Sequence, residues 1–448
     1  MRRLAAMLLF ATSLGAAEFE RGKLIENVVT REDASQTYTL YLPTSYSVDQ
    51  KHALLLIFDP RRRGTMAAEI FRAAAEEHGW ILISSNGTES DGPIEPNEKA
   101  LRALLPELGR WAHDPRRIYA TGFSGTALVA YGVGMNTGAF AGVIGVGGRI
   151  VPQLPPAKFN FAHYGFAGDL DFNNREMREI DALLDRTKTP HRFQEFDGIH
   201  QWISPELARE AIQWMEVIAM KEGRRATDEA FLAKAHAEDR AKANALGDTV
   251  EGLQRHRAIL RTFGGDDGIV RRLERDPRIR QALAEQAKWD DFEERYMSDV
   301  VARMPYLMAN LREAVPTAAV VGRQFRIPDL QRRAKKEGPE GKAARRLLDQ
   351  VYGQTNRYLI RQLFDRREYL LASAVLGLAT EIHPDRWSGW YNLGAAFARA
   401  GDAKRALDAL EQAFATGFRN VAMLQADDDY ASVRGNERYL ALLASRSQ

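Results

Sequence analysis

Residues Arg117–Thr126 read RIYATGFSGT. The first half is a short β-branched and aromatic run, and it stops at Gly122. From Thr126 onward apolar residues recur at helical spacing. A strand that passes through Gly-x-Ser-x into a helix forces a tight turn, and that turn lifts the serine hydroxyl above the sheet. The amide of Gly125 then lies at a helix N-terminus, where it can donate to a developing oxyanion. Ser124 is therefore a candidate nucleophile. A Gly-Ser-Gly turn also serves as plain geometry or as a phosphate cradle, so its surroundings have to decide.

Working outward, the flanking segments alternate between strand and helix patterns. Gln36–Leu42 (QTYTLYL) alternates as a half-buried strand and pairs with Leu24–Val29. Residues 53–58 (ALLLIF) form a continuous apolar run, as a strand covered on both faces requires, and Asp59-Pro60 ends it. A helix over 66–78 stops at Gly79, and 80–84 (WILIS) is the next buried strand. Residues 97–111 predict a helix, 117–121 a strand, 126–135 a helix and 141–147 a small-residue strand. Strands over 159–166 and 191–196 alternate with helices over 176–186 and 205–220. This order implies a mostly parallel sheet with helices on both faces. In such sheets chemistry gathers just beyond the carboxyl ends of the strands.

Two further strand ends carry the right side chains. Gly168-Asp169-Leu170-Asp171 follows one, with two candidate acids. Asp197-Gly198-Ile199-His200 follows the next. The chain order is thus serine, aspartate, histidine, the order of an α/β-hydrolase. A serine hydroxyl needs a histidine to take its proton, and the histidine needs a carboxylate to hold its tautomer. Among the other histidines, His163 and His113 read as structural, and His52, His78 and His191 as surface or edge residues. No HxH or HExxH spacing occurs, so neither a bound metal nor any other cofactor is expected.

The stretches YTLYLPTSY, LLLIFDPRRRG, DPRRIYATGFSG, GDLDFNNREM and FDGIHQW resemble the α/β-hydrolase superfamily, especially its polyhydroxybutyrate-depolymerase-like and feruloyl-esterase-like secreted esterases. The resemblance covers residues ~35–222. It implies Ser124 as nucleophile, His200 as base and Asp171, in preference to Asp169, as acid. It also implies a second oxyanion donor in the loop after the early strand, often His-Gly. Here that place holds Asp59-Pro60-Arg61; proline has no amide hydrogen, so Arg61 is the candidate donor beside Gly125. The sequence departs from the family pattern at Asp59-Pro60 and at Thr126, which stands where a glycine is usual. The short stretch between Val146 and Phe159 suggests an open cleft, and Arg61-Arg62-Arg63 a basic rim or a solvated loop.

Composition bounds the rest. The chain has 448 residues, with 62 basic and 60 acidic side chains and a net charge of +2, which gives no basic excess for nucleic acid. It has no cysteine, which excludes disulfides, thiol nucleophiles and thiolate metal sites. Met1-Arg2-Arg3, the apolar run 4–14 and Gly15-Ala16-Ala17 follow the order of a secretory signal cut after Ala17. The expected location is the periplasm or outside the cell. No other run reaches ~18 apolar residues, so no integral membrane segment is expected after signal removal.

The expected organisation is a signal over 1–17, an α/β-hydrolase domain over 18–222, an all-helical region over 223–352 and a helical-repeat region over 353–448. Breaks in the helical region are expected near Gly264-Gly265, Pro305, Pro316, Pro328 and Gly338-Pro339. Leu359, Leu363, Ala372, Leu376 and Ala379 recur at a spacing of 34 as Leu393, Phe397, Ala406, Leu410 and Ala413. The stretch WYNLGAAFARAGDAKRALDALEQAF resembles the tetratricopeptide repeat, with Gly394 and Ala406 small where paired helices meet. Residues 421–445 would supply a closing helix. The resemblance implies a surface for a protein or peptide partner, or for self-association. The expected activity is that of an exported serine hydrolase acting on an ester; the alternative is an inactive hydrolase-like adaptor.

Overall fold

The computed structural model describes residues 19–148, 159–310 and 317–445. The signal-like stretch 1–17, most of the segment between Val146 and Phe159, and Pro316 lie outside the described residues. The chain divides into two compact units, Met1–Leu283 and Ala284–Gln448.

The first unit is built on an eight-stranded sheet: β1 (Leu24–Val29), β2 (Thr37–Tyr41), β3 (His52–Phe58), β4 (Ile81–Ser85), β5 (His113–Phe123), β6 (Phe140–Val146), β7 (Ala162–Gly168) and β8 (His191–Phe196), in the order β1-β2-β4-β3-β5-β6-β7-β8. β1 and β2 pair antiparallel, as do β2 and β4. All pairs from β4 to β8 are parallel. The helices are α1 (Gly64–His78), α2 (Glu95–Leu104), α3 (Gly125–Thr137), α4 (Asn174–Leu184) and α5 (Pro205–Lys221). This is the mostly parallel sheet expected from the alternation, in the α/β-hydrolase arrangement that the resemblance implies. The segment read as one helix over 97–111 is α2 followed by a 3-10 turn at Leu105–Arg110, with Pro106 at its start.

Every residue of β3, β4, β6 and β7 is buried, which explains their largely apolar character. One core cluster on the sheet gathers Tyr38, Leu54, Phe58, Ile83, Trp111 and Tyr131. A second gathers Leu55, Ile57, Phe71, Trp80, Tyr119 and Trp214. α1 buries Ala67, Ala68, Phe71, Ala74 and Ala75, a stripe at three- and four-residue spacing, and ends at Gly79 with φ 68°.

The division between units falls well beyond the change of composition at Glu222. α6 (Glu229–Leu246), α7 (Val250–Phe263) and α8 (Gly268–Arg275) belong to the first unit. Charge pairing draws them in. Arg192 on β8 makes a bidentate bond to Asp239 on α6 at 2.7 and 2.8 Å, and both side chains are buried. Arg255 on α7 joins the same carboxylate and also reaches Glu210 on α5 at 2.8 Å. The Trp214 indole donates to Thr262 at 3.0 Å.

Burial pushes the Asp239 carboxyl up, but the Arg192 and Arg255 bonds and charges outweigh it and hold it at about 2. An unfolded chain titrates this group near 3.8, so the network stabilises the fold fully above that pH. On the order of 2 kcal/mol is then lost as the pH falls through 4 toward 2. Asp239→Asn should destabilise the first unit by about 3 kcal/mol at neutral pH and flatten the pH dependence of unfolding between 5 and 2. Urea melts of both proteins across that range test this; superimposable curves would remove the network from the account.

The second unit is all helical: the remainder of α9 (Pro277–Asn310), α10 (Ala318–Gln324), α11 (Ile327–Ala334), α12 (Gly338–Gly353), α13 (Leu359–Asp365), α14 (Tyr369–Ile382), α15 (Trp387–Arg399), α16 (Ala403–Ala415), α17 (Val421–Ala426) and α18 (Glu437–Ala444). The break expected near Pro305 does not occur, because α9 continues through it. Pro328 and Pro339 fall in the first turns of α11 and α12, where a missing amide hydrogen costs no helical bond. A π turn at Gln354–Tyr358 joins α12 to α13, so the first helix of the earlier repeat copy continues from α12. α15 and α16 form a hairpin through Gly401, φ 82°. A Cβ on Gly394 would lie 3.0 Å from the Ala406 carbonyl and 2.4 Å from the Tyr430 hydroxyl, so the close approach of the pair requires glycine there. The closing segment is not one helix: a 3-10 turn at Asp428–Val433 separates α17 from α18.

Candidate active site

Ser124 sits between β5 and α3 with φ 55° and ψ −129°, a conformation that disfavours any side chain. Close packing around the turn imposes it. A Cβ on Gly122 would approach the Thr126 carbonyl to 2.2 Å, and one on Gly148 the Ser124 carbonyl to 2.4 Å. The Ser124 amide donates to Val146 at 2.9 Å, which ties the turn to the end of β6. Thr126 is buried, and its hydroxyl lies 2.6 Å from the Phe58 carbonyl and 2.8 Å from the Phe123 carbonyl, with one proton to donate between them. Threonine in place of glycine therefore adds a clasp between the turn and β3, with no obstruction.

The three predicted side chains meet. His200 Nε2 lies 2.8 Å from Ser124 Oγ. His200 Nδ1 lies 2.9 Å from both oxygens of Asp171. Asp171 is fully buried, whereas the His200 side chain is 17% exposed. Solvent thus reaches the imidazole but not the carboxylate. The imidazole packs between Phe123 and Phe172, with ring centroids 4.6 and 4.3 Å away. Gly147, φ 52°, leaves the room needed: a Cβ there would come within 2.6 Å of Asp171 Oδ2 and 3.1 Å of His200 Nδ1. Asn173 spans the gap, its backbone amide donating to Asp171 at 2.8 Å and its side chain to the Gly147 carbonyl at 2.7 Å. Asp169, the other candidate acid, accepts from the Gly198 amide at 3.0 Å and so braces the loop that carries His200.

Of the two oxyanion candidates, Gly125 opens α3, where the geometry of a first turn leaves its amide without an intrahelical acceptor. Arg61 is placed differently. Its amide donates to Asp59 Oδ1 at 2.8 Å, an Asx turn that directs the N–H at the carboxylate and away from the role assigned to it. The basic rim also changes character, because Arg62 pairs with Glu89 at 2.5 Å and Arg63 with Asp59 at 3.0 Å.

Three histidines expected at the surface or an edge are largely buried. His52 bridges the Gly79 carbonyl (2.9 Å) and the Ser47 amide (3.2 Å). His78 packs edge-on against Phe231 on α6. His191 lies beside Asp181 and Asp185, the one group among the described residues with cation-ligand geometry. Arg261 already supplies a positive charge there, with Nη1 2.7 Å from His191 and 2.5 Å from Asp185. His163 is in the sheet core, where burial drives its pKa down to about 3; Nε2 meets the Tyr131 hydroxyl at 3.1 Å.

No described helix is long and apolar enough to cross a membrane. No family model matches the chain, and no curated protein matches it. Solved structures similar to part of it include the fluorophosphonate-binding serine hydrolase FphF of Staphylococcus aureus, at 15% identity over 44% of this chain and 99% of that one, TM-score 0.36. Others are a ferulic acid esterase, at 15% identity over 43% and 97% with TM-score 0.36, and a hyperthermophilic esterase of Pyrobaculum calidifontis, at 9% identity over 45% and 87% with TM-score 0.37.

Proposed function

We propose that the protein is a serine hydrolase acting on a carboxylic ester. The observation that carries this reading is the unbroken hydrogen-bonded chain from Ser124 through His200 to a buried Asp171, set on a strained turn. Ser124 Oγ attacks the ester carbonyl as His200 takes its proton. The Asp171 carboxylate holds the proton on Nδ1, which leaves Nε2 free to accept, and stabilises the imidazolium. The carbonyl oxygen becomes an oxyanion that the Gly125 amide and the N-terminal end of α3 stabilise. The imidazolium gives its proton to the departing alcohol, leaving an acyl-enzyme. Water, deprotonated by His200, then releases the acid and restores the serine.

The order of charge, apolar run and small residues over 1–17 supports export to the periplasm or beyond the cell. The α15–α16 hairpin with its tight contact at Gly394 supports a tetratricopeptide-like second unit that holds a protein partner or a second copy of the chain.

The reading is tested by mixing excess p-nitrophenyl acetate and p-nitrophenyl butyrate with the mature protein in a stopped-flow instrument. A burst of nitrophenol close to one equivalent per chain, followed by slower turnover, is expected of an acyl-enzyme route. Absence of both burst and turnover in folded protein would favour the adaptor alternative.

A further inference from the structure

We propose that Asp59 is a positioning residue for both sides of this site, fixing the loop of the base through Trp202 and the wall above Gly125 through residues 88–90. The proposal rests on the hydrolase reading.

Asp59 directly follows β3 and is fully buried. A buried carboxylate is unfavourable unless its oxygens are satisfied. Here Oδ1 accepts from the Arg61 amide (2.8 Å), the Arg63 amide (3.1 Å) and Arg63 Nε (3.1 Å). Oδ2 accepts from Arg63 Nη2 (3.0 Å) and from the Trp202 indole (2.9 Å). Burial pushes the carboxyl up, but these bonds outweigh it and hold it below the usual carboxylate range. The group therefore stays an acceptor at neutral pH.

One donor, the Trp202 indole, comes from a segment that meets Asp59 only in the fold. Trp202 lies two residues beyond His200 and packs on Phe123 at 5.6 Å and Phe71 at 6.2 Å, so its indole bond orients the turn that carries the base. On the other side, the Asp59 carbonyl accepts from Thr88 Oγ1 at 3.1 Å. The loop beyond it runs along 88–90: the Arg62 amide donates to Thr88 and the Ser90 amide to Pro60, both at 3.1 Å. Ser90 then lies directly over the candidate oxyanion donor, because a Cβ on Gly125 would come within 2.5 Å of its Cβ. The carboxylate thus holds the base loop and folds the turn 59–63, and the backbone of that turn carries residues 88–90 beside Gly125. The Asp59-Pro60 departure from the family pattern becomes a working part of the site.

Trp202→Phe keeps an aromatic ring against Phe71 and Phe123 and removes the indole donor together with the volume of one fused ring. Asp59→Asn keeps one acceptor oxygen but turns an amide N–H toward Trp202 and Arg63, two donors that need an acceptor. kcat and KM on p-nitrophenyl butyrate, the fluorophosphonate labelling rate and Tm should be measured for wild type, both single variants and the double variant. Trp202→Phe should lower kcat and labelling by at least about tenfold, and Asp59→Asn by about 10²-fold, since small misplacements of reacting groups cost that much. KM should stay within about twofold, and Tm should fall little for Trp202→Phe. The double variant should be no slower than Asp59→Asn within about threefold, because both changes break one link. Wild-type kcat in Trp202→Phe, losses that multiply, or a change confined to KM would overturn the proposal while leaving a labelled Ser124 and the hydrolase reading intact. A wild type that neither labels nor turns over would remove both.

Discussion

Ser124→Ala is expected to reduce ester turnover by about 10⁶-fold and to abolish reaction with a fluorophosphonate probe. The size follows from the mechanism: without Oγ there is no acyl-enzyme, and His200 with Asp171 has nothing to activate except water. Stability should not fall with activity. Ser124 holds a positive φ that a Cβ resists, and the turn is clamped by Gly122, Gly148 and the Thr126 clasp whatever residue occupies it. Ser124→Ala should therefore melt close to wild type, and Ser124→Gly should be more stable by about 1 kcal/mol. Residual turnover above roughly 1% of wild type, in protein free of contaminating enzyme, would mean that this hydroxyl is not the nucleophile.

The second large effect is expected at the acid. Asp171→Asn should lower kcat by about 10⁴-fold with little change in KM. The amide is nearly isosteric but can donate to Nδ1, which places the imidazole proton on Nε2, where it points at Ser124 and cannot receive its proton. Asp169→Asn provides the contrast. That carboxylate accepts from the Gly198 amide, and an asparagine oxygen can take the same bond. Its turnover should stay within about tenfold of wild type. Equal losses in the two variants would show that the imidazole is held by the loop as a whole and not by the bond to Asp171.

Much of this site was legible in the chain because each member follows a strand that announces itself. ALLLIF, WILIS and AGVIGVG are apolar on both faces, and both faces of β3, β4 and β6 are indeed covered. Once the strands were placed, Ser124, Asp171 and His200 fell just beyond the ends of β5, β7 and β8. The choice between the two aspartates did not follow from the strand pattern, since both lie in one turn; the packing of Gly147 and Asn173 around Asp171 distinguishes them.

Arg61 was misplaced because an aspartate two residues earlier captures its amide. The Asp-x-Arg spacing of an Asx turn was present in the sequence and would have warned of it. The buried histidines were misread because their partners are distant. His52 closes on Gly79, and His78 is covered by Phe231 from a helix far along the chain. The same holds for the extent of the first unit. Composition changes at Glu222, but Arg192 on β8 and Asp239 on α6 find each other only after folding, and their buried pair, joined by Arg255 on α7, ties α6 and α7 to the sheet. Pro305 shows the converse: a local breaker that the continuing helix α9 overrides.

The most direct test is mass spectrometry of the full chain after treatment with a fluorophosphonate. The account predicts one adduct per chain, on the peptide containing Ser124, lost in His200→Ala protein that still melts cooperatively. An adduct on any other residue, or none on a folded wild type, would contradict it.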